Sequence, residues 1–326
     1  MKIGKVPFSI LDQYVFQQIQ NKRKEILVGS AIGEDCSIIE FDSDELCVVS
    51  TDPITGATEN IGYLGVHITC NDLASNGAEP VGLLITLLLP PSSTEKELNM
   101  IMKQIEKGAT EVNAQVIGGH TEITDAVNRP ILSVAGIGKT LKNNIITSKP
   151  KPNEDIVMTK WAALEGTAIL AKEKEEWLKN HLSVEELHKA QGSIQYLSVL
   201  PESRVAVQFG VSAMHDITEG GVLGALWEMA HCGKVGMEIN IDQIPITLET
   251  RKICDLFQID PLRLISSGSM IITCKEGQKL VSLLQAQGIE ACIIGQTQIK
   301  QEIYYRTKGE IIPLDPPDVD ELYKVL

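Results

Sequence analysis

The stretch that decides the fold is residues 80–118, which read PVGLLITLLLPPSSTEKELNMIMKQIEKGATEVNAQVIG. Its apolar run at 81–89 has about half the length that a membrane helix requires, and we interpret it as a buried strand. Thr94 followed by Glu97 is typical of a capping box, and apolar residues recur behind it at helical spacing, which predicts a helix from 94 to about 112. A second strand predicted at 114–118 completes a strand, helix and strand unit, which indicates an α/β fold.

The same alternation of strands and helices continues on both sides of this stretch. Further strands are predicted at residues 46–51 and 130–137 and a helix near 61–75, and the pattern resumes from 156 to 294. Residues 142–155 are polar and contain prolines, as linkers do. Since 326 residues exceed the size at which one hydrophobic core usually stops growing, we predict two α/β or α+β domains, residues 1–148 and 149–326.

The composition disfavours several classes of function. A net charge of −14 and a pI near 4.9 argue against nucleic acid and anionic membranes as partners, because both bind basic surfaces. No long apolar region follows the basic N-terminus, so we expect no export signal. The seven cysteines are odd in number and never spaced as CxxC, which favours neither a disulfide framework nor a zinc site. We therefore expect a cytoplasmic protein.

Four aspartates at or beside predicted element ends are the candidate metal ligands: Asp35, Asp52, Asp72 and Asp216. Taken singly, each is more simply a turn or cap residue whose carboxylate accepts backbone N–H groups. Asp72 is the most informative, because its position on the predicted helix places it on the inward face near the C-terminal end. A carboxylate buried there needs compensation, and a bound cation would supply it.

Two glycine-containing segments are candidate phosphate sites. Gly118-Gly119-His120-Thr121 is predicted to form a turn after a strand, and Thr218-Glu219-Gly220-Gly221 a turn that opens a helix. Either segment alone can be merely a tight connection, and the adjacent His120 and His215 are more often structural than catalytic. The chain contains neither a GxxxxGK[ST] nor a GxGxxG motif, so neither common nucleotide fingerprint explains it.

Five motifs occur together in a fixed order along the chain: GEDCSII, STDPITGA, NDLASNGAEP, GGHTEIT and HDITEGGVLGALWEMA. In this order they resemble the signature series of the superfamily that contains aminoimidazole ribonucleotide synthetase, selenophosphate synthetase, thiamine-monophosphate kinase and HypE. Downstream, residues 244–273 are similar to the C-terminal domain of HypE proteins. The resemblance covers almost the whole chain.

This resemblance implies two PurM-like α/β domains, an N-terminal sheet through which the protein forms a homodimer, and ATP bound with Mg²⁺ between the domains and across the dimer. It implies His120 and Asp216 as catalytic residues and Asp35, Asp52, Asp72 and Asp216 as magnesium ligands. The implied nucleotide-binding residues are Gly33, Asn71, Gly118, Gly119, Thr121, Thr218, Gly220 and Gly221.

Two departures from the HypE pattern limit what the resemblance implies. HypE proteins that form a nitrile ligand end in a tail whose cysteine carries the thiocarbamate, whereas this chain ends in DELYKVL. Such proteins also usually carry an acidic residue at the position of Ser267. A nitrile-forming reaction on the chain's own tail is therefore not expected.

Three functions remain open on the sequence. The leading hypothesis is an ATP-dependent, ligase-like or dehydratase-like enzyme that phosphorylates an amide, carbamoyl or carbonyl oxygen of a small molecule or a carbamoylated protein and releases phosphate. The second is a small-molecule kinase similar to thiamine-monophosphate kinase. The third is a nucleotide-binding accessory protein of metalloenzyme maturation that does not turn over.

Overall fold

The computed structural model describes residues 4–5, 10, 13–28, 38–55, 59–307 and 309–326. They form two compact units. The first comprises Met1–Ala74 and Ala78–Asn143, and the second comprises Ser75–Gly77 and Asn144–Leu326. The domain boundary that the sequence predicts between residues 148 and 149 stays a prediction.

The first unit contains a five-stranded mixed sheet with the strand order β1-β6-β5-β7-β4. Its strands are β1 (Gly4–Lys5), β4 (Glu45–Ile54), β5 (Glu79–Leu89), β6 (Gln115–Ile123) and β7 (Ile131–Leu141). Strands β5 and β6 are parallel, and the other neighbouring strands are antiparallel. A separate pair consists of β2 (Ile26–Val28) and β3 (Ile38–Ile39).

Two helices pack against one face of this sheet. Helix α1 (Ile61–Ser75) has the predicted bounds, and it packs closely on β7, since a Cβ on Gly65 would lie 2.7 Å from the Leu132 side chain. Helix α2 (Glu95–Glu111) begins as predicted, because the Thr94 hydroxyl accepts the Glu97 N–H at 3.2 Å. The predicted apolar positions of α2 are buried. They are Leu98, Ile101, Met102 and Ile105.

The second unit contains a seven-stranded sheet with the order β14-β13-β10-β12-β8-β11-β9. Its strands are β8 (Asp155–Thr159), β9 (Ala213–Asp216), β10 (Gly236–Asn240), β11 (Met270–Cys274), β12 (Ala291–Gln298), β13 (Ile303–Thr307) and β14 (Glu310–Pro313). Its helices are α3 (Leu164–Glu173), α4 (Glu175–Leu178), α5 (Val184–Gly192), α6 (Leu200–Phe209), α7 (Gly221–Gly233), α8 (Leu248–Phe257) and α9 (Gly277–Ala286). Together the two units confirm the predicted two-domain α/β class.

One sequence prediction is wrong in a way that affects the site. Residues 118–121 do not form a turn, because β6 continues through them to Ile123. The register between β5 and β6 shifts near Leu83 and Leu84, and Gly119 has a φ of 143°. A Cβ on Gly119 would lie 1.9 Å from the Ile85 carbonyl oxygen. The glycine is therefore required by the close approach of β5 at this irregularity of the strand.

Two smaller predictions also need correction. Strand β4 extends to Ile54, so Asp52 lies inside the strand and not beyond its end. Strands β13 and β14 were not predicted.

Within the described ranges, no helix combines the length and the apolar character that crossing a bilayer would require.

Candidate active site

Two of the candidate carboxylates, Asp52 and Asp72, lie on adjacent elements of the first unit. Ser50 and Asp52 project from the same face of β4, because they are two residues apart on a strand. The Ser50 hydroxyl donates a hydrogen bond to Oδ2 of Asp72 on α1. Strand β4 and helix α1 thus bring Asp52 and Asp72 to neighbouring positions on the helix-covered side of the sheet.

The surroundings of these carboxylates are largely buried. Asn71 is fully buried and Asp72 is half-buried, so Asp72 faces inward only in part. Gly77, with a φ of 73°, lies just beyond the end of α1, and the Ala78 N–H donates to the Leu73 carbonyl at 3.0 Å. The helix ends as predicted, in a glycine-dependent C-terminal turn.

The surroundings of Asp52 show whether a cation would fit this site. Its Oδ2 atom is buried, and the described residues supply no hydrogen-bond donor to it. Such an oxygen carries a desolvation cost that a bound divalent cation would offset, and carboxylate oxygens are preferred Mg²⁺ ligands. No cluster of three or more His, Cys, Asp or Glu suited to a metal occurs among the described residues. Asp35 and Gly33 lie outside those residues.

The Gly118 to Thr121 segment lies apart from these carboxylates within the same sheet. Strands β5 and β7 both separate β6 from β4. Among the described residues, the outer edge of β6 is paired with β1 only at Glu122 and Ile123. The His120 side chain is exposed, and its Nε2 lies 3.2 Å from Oε2 of Glu122. The segment therefore presents its glycines and His120 from a strand that is unpaired at its outer edge over the described residues.

In the second unit, Asp216 is held firmly at the end of β9. The Ser75 hydroxyl donates to Oδ1 of Asp216 at 3.0 Å and lies 3.1 Å from the Asp216 amide, whose N–H it accepts. The adjacent His215 is 3.1 Å from Glu228 through Nε2. Burial lowers the pKa of His215, but the hydrogen bond to Glu228 and the charge of Asp216 outweigh it and raise the pKa overall.

The second glycine segment forms the predicted turn before a helix. Gly220 has a φ of 82° and is the N-cap of α7, and the Gly221 N–H donates to the Thr218 carbonyl at 3.1 Å. Gly221 has a φ of 62°, and a Cβ there would lie 2.6 Å from the Leu262 carbonyl oxygen. Both positions therefore require glycine. The structure brings Asp216, Thr218, Gly220 and Gly221 together at one end of the second sheet.

Two acidic residues beside this turn were missed by the sequence analysis. The Gly220 N–H donates to Oδ2 of Asp320 at 2.7 Å. Glu165, at the start of α3, is buried and lies beside Ser267, whose backbone donates a hydrogen bond to it. Burial raises the pKa of Glu165 to about 7, the charges of Asp320 and Glu219 act in the same direction, and the proximity of Ser267 opposes them. Asp320 and Glu165 lie far along the chain from the Gly220 turn, so no sequence motif linked them to it. The sequence analysis noted only that Ser267 stands where HypE proteins usually carry an acidic residue.

Both halves of the chain match models of a known protein family. The N-terminal domain model of AIR synthase related proteins matches residues 33–140, and the C-terminal domain model matches residues 151–307. A putative hydrogenase expression/formation protein of Methanocaldococcus jannaschii is 27% identical over 301 residues, which cover 90% of this chain and 88% of that protein. Carbamoyl dehydratase HypE of Rhodobacter capsulatus is 23% identical over 289 residues and covers 86% and 82%.

Solved structures share the fold at low sequence identity. A hydrogenase maturation protein HypE in complex with ATP superposes with a TM-score of 0.76 at 17% identity and covers 98% of this chain and 96% of its own. Thiamine-monophosphate kinase of Stenotrophomonas maltophilia gives a TM-score of 0.75 at 19% identity and covers 94% and 98%. The fold alone therefore does not separate HypE proteins from kinases. The relatives that match most of the chain are a hydrogenase formation protein and HypE. Together with the two matched domain models, they show that the chain belongs to the AIR synthase related protein family, as a HypE-like member.

Proposed function

We propose that this chain is a magnesium-dependent, ATP-using HypE-like enzyme. It activates an amide, carbamoyl or carbonyl oxygen by phosphoryl transfer and releases inorganic phosphate. The substrate is a small molecule or a carbamoylated protein, and the enzyme acts as a homodimer in the cytoplasm. Support comes from the carbamoyl dehydratase relative and from the HypE structure that contains ATP.

The observation that carries this proposal is the buried Asp52 Oδ2 atom on the face of β4 that also carries Ser50, whose hydroxyl binds Asp72. The described residues supply no hydrogen-bond donor to this oxygen, so a cation bound there would offset its desolvation cost. Asp52 and Asp72, with Asp35 and Asp216, are the proposed magnesium ligands. The ion would neutralise the charge of the nucleotide phosphates, which this strongly acidic chain would otherwise repel.

The remaining predicted residues fit roles in binding and proton transfer. Asn71 is a buried amide beside Asp72 and can fix a polar group of the nucleotide. We propose that backbone amides of two segments donate to phosphate oxygens: those near Gly118, Gly119 and Thr121, and those of the turn at Thr218, Gly220 and Gly221. The Gly33 amide is proposed to do the same. These donors stabilise charge without a covalent intermediate.

Two residues are proposed as catalytic. His120 is exposed and in contact with Glu122, so its ring can exchange a proton with a substrate. The Asp216 carboxylate is fixed by Ser75 and lies beside the second glycine turn. Positioning of this kind is what phosphoryl transfer chiefly requires of a protein.

A thermal melt tests the nucleotide and metal parts of the proposal. At one hundred times the dissociation constant, ATP with Mg²⁺ should stabilise the protein by about 2.7 kcal/mol, and ATP with excess chelator by much less. Asp52→Asn should remove most of the difference between the two conditions. Equal shifts in both conditions for the wild type would contradict the magnesium requirement.

Product analysis tests the reaction type. With ATP labelled at the γ-phosphate and a panel of primary amides and carbamoyl compounds, the enzyme should release labelled inorganic phosphate only with a true substrate. Label retained on the acceptor would instead identify a small-molecule kinase. Binding of ATP without turnover across the panel and with carbamoylated protein would favour the accessory role.

A further inference from the structure

Residues 315–326, here called the 315–326 segment, follow β14 and pack on the glycine turn of the second unit. Leu322 is only 3% exposed. A Cβ on Gly220 would lie 3.2 Å from the Pro317 side chain, so this proline sits directly against the turn. The Tyr323 hydroxyl donates to Oε1 of Glu219 at 2.8 Å. The segment is therefore anchored by apolar and polar contacts around Gly220.

Asp320 is the central contact of this segment. Its Oδ2 atom accepts the Gly220 N–H at 2.7 Å, and its Oδ1 atom accepts the Leu322 N–H at 2.8 Å. The backbone of Ile265 donates a further hydrogen bond to the carboxylate. Asp320 is only 3% exposed, so these backbone amides replace the water that it loses.

A carboxylate bound in this way is an anion at the N-terminus of a helix. Gly220 is the N-cap of α7, where free N–H groups and the helix dipole favour a negative group. A phosphate oxygen would use the same N–H. The phosphate and the Asp320 carboxylate would also repel each other. Negative charge is already concentrated here, because Glu219 and Glu165 both interact with Asp320 by charge.

We propose that the Asp320 carboxylate and a nucleotide phosphate are alternative ligands of the Gly220 amide, so that the 315–326 segment must leave the turn when nucleotide binds. This inference rests on the proposed function, which assigns the Gly220 turn to a phosphate of ATP. The segment then regulates the site, because only the fraction of molecules with an open turn can bind nucleotide and the apparent Kd rises accordingly.

Isothermal titration calorimetry with Mg-ATP tests the competition. Asp320→Ala should bind Mg-ATP about tenfold tighter than the wild type, since a hydrogen bond to a charged group no longer has to be broken. Asp320→Asn, which keeps an acceptor oxygen without the charge, should show a smaller gain. Asp318→Ala is the matched control, because Asp318 is an exposed carboxylate of the same segment that accepts the adjacent Val319 N–H. Its Kd should equal that of the wild type.

Hydrogen exchange of the 315–326 segment, followed by mass spectrometry, gives a second readout. Exchange should increase when Mg-ATP binds the wild type, and it should already be increased in Asp320→Ala without nucleotide. An unchanged or weaker Kd in folded Asp320→Ala, or greater protection of the segment with Mg-ATP, would overturn the inference and leave the proposed function intact. Absence of Mg-ATP binding by all four proteins would instead overturn the proposed function, and the inference with it.

Discussion

At the scale of single residues, the buried and half-buried carboxylates of this chain differ in their partners. Asp72 accepts a hydrogen bond from the Ser50 hydroxyl, Asp320 accepts from backbone amides, and Glu165 accepts from Ser267. Asp52 retains a buried oxygen that the described residues leave without a donor. Protein groups thus bind Asp72 and Asp320, whereas Asp52 and Glu165 each keep a buried oxygen without a donor among the described residues, and we expect a ligand at Asp52.

Asp72→Asn separates a structural from a metal-binding role. An asparagine oxygen can still accept the Ser50 hydrogen bond, so the free energy of unfolding of the apo protein should change by less than about 1 kcal/mol. The magnesium-dependent part of the ATP stabilisation should be lost, because an amide carries no charge for the ion. Thermal melts with and without Mg-ATP measure both effects, with exposed Asp44→Asn as the control. A strongly destabilised apo variant with an unchanged nucleotide shift would reject the metal role.

Glu165 makes stability depend on pH. Its pKa is raised from 4.5 to about 7 in the folded protein, mainly by burial, so the folded state holds this proton more tightly than the unfolded state. Its contribution to the free energy of unfolding is therefore full below pH 4.5 and is lost progressively as pH rises towards 7. Such a shift corresponds to roughly 3 kcal/mol.

Glu165→Gln should remove this dependence, because glutamine keeps the shape without the titrating proton. Denaturant melts of both proteins between pH 5 and pH 8 measure the difference. The wild type should lose stability relative to the variant over this range. Parallel stability curves would show that Glu165 titrates near its ordinary pKa.

At the scale of elements, β6 depends on one glycine. Gly119 combines a φ of 143° with a position whose Cβ would lie 1.9 Å from the Ile85 carbonyl oxygen. The added atom would collide with the backbone of β5, which has little freedom to move because it is paired on both sides. The irregularity of β6 therefore depends on this residue.

Gly119→Ala should lower the free energy of unfolding by about 3 kcal/mol or more, through backbone strain and the forced displacement of β5. Gly309→Ala is the control, since Gly309 also has a positive φ, 85°, but no atom within 4 Å of an added Cβ. This control should cost only about 1 kcal/mol. Equal losses in chemical denaturation would mean that conformation alone, and not the contact with β5, fixes the glycine.

At the scale of the whole molecule, the first unit presents an open apolar sheet face. Helices α1 and α2 cover the opposite face, and on the open one Val49 is 69% exposed and Leu84 is 37% exposed. Val49 is paired with Ile137 on β7, and Ala135, two residues earlier on the same face of β7, is paired with Leu84, so apolar positions are contiguous across β4, β7 and β5. A second copy of this face would cover them, which supports the proposed homodimer.

Val49→Asp should convert the protein from dimer to monomer, because the carboxylate would be buried without a partner at the interface. Light scattering at micromolar concentration should give twice 35.6 kDa for the wild type and 35.6 kDa for the variant. Met100→Asp is the control, since Met100 is also exposed but lies on helix α2. A wild type found only at 35.6 kDa would refute the dimer.

The sequence by itself determined the features that depend on neighbouring residues. The bounds of α1, the Thr94 cap of α2, the strand β5 and the α/β class all follow from apolar periodicity and capping, which act within one or two turns of chain. The prediction that β5 is buried holds for one face only, because Leu84 on the other face is exposed. The order of the motifs indicated the family. The assignments of the individual site residues stay predictions.

Only the tertiary structure decided the features that depend on partners far along the chain. Gly118 and Gly119 lie inside β6 because β5 approaches them, and no local signal distinguishes such glycines from a turn. Asp320 reaches Gly220, and Ser267 reaches Glu165, through contacts made only when distant strands and helices have packed. Burial then changes the chemistry of these carboxylates, because desolvation depends on the whole surrounding fold and not on the adjoining sequence.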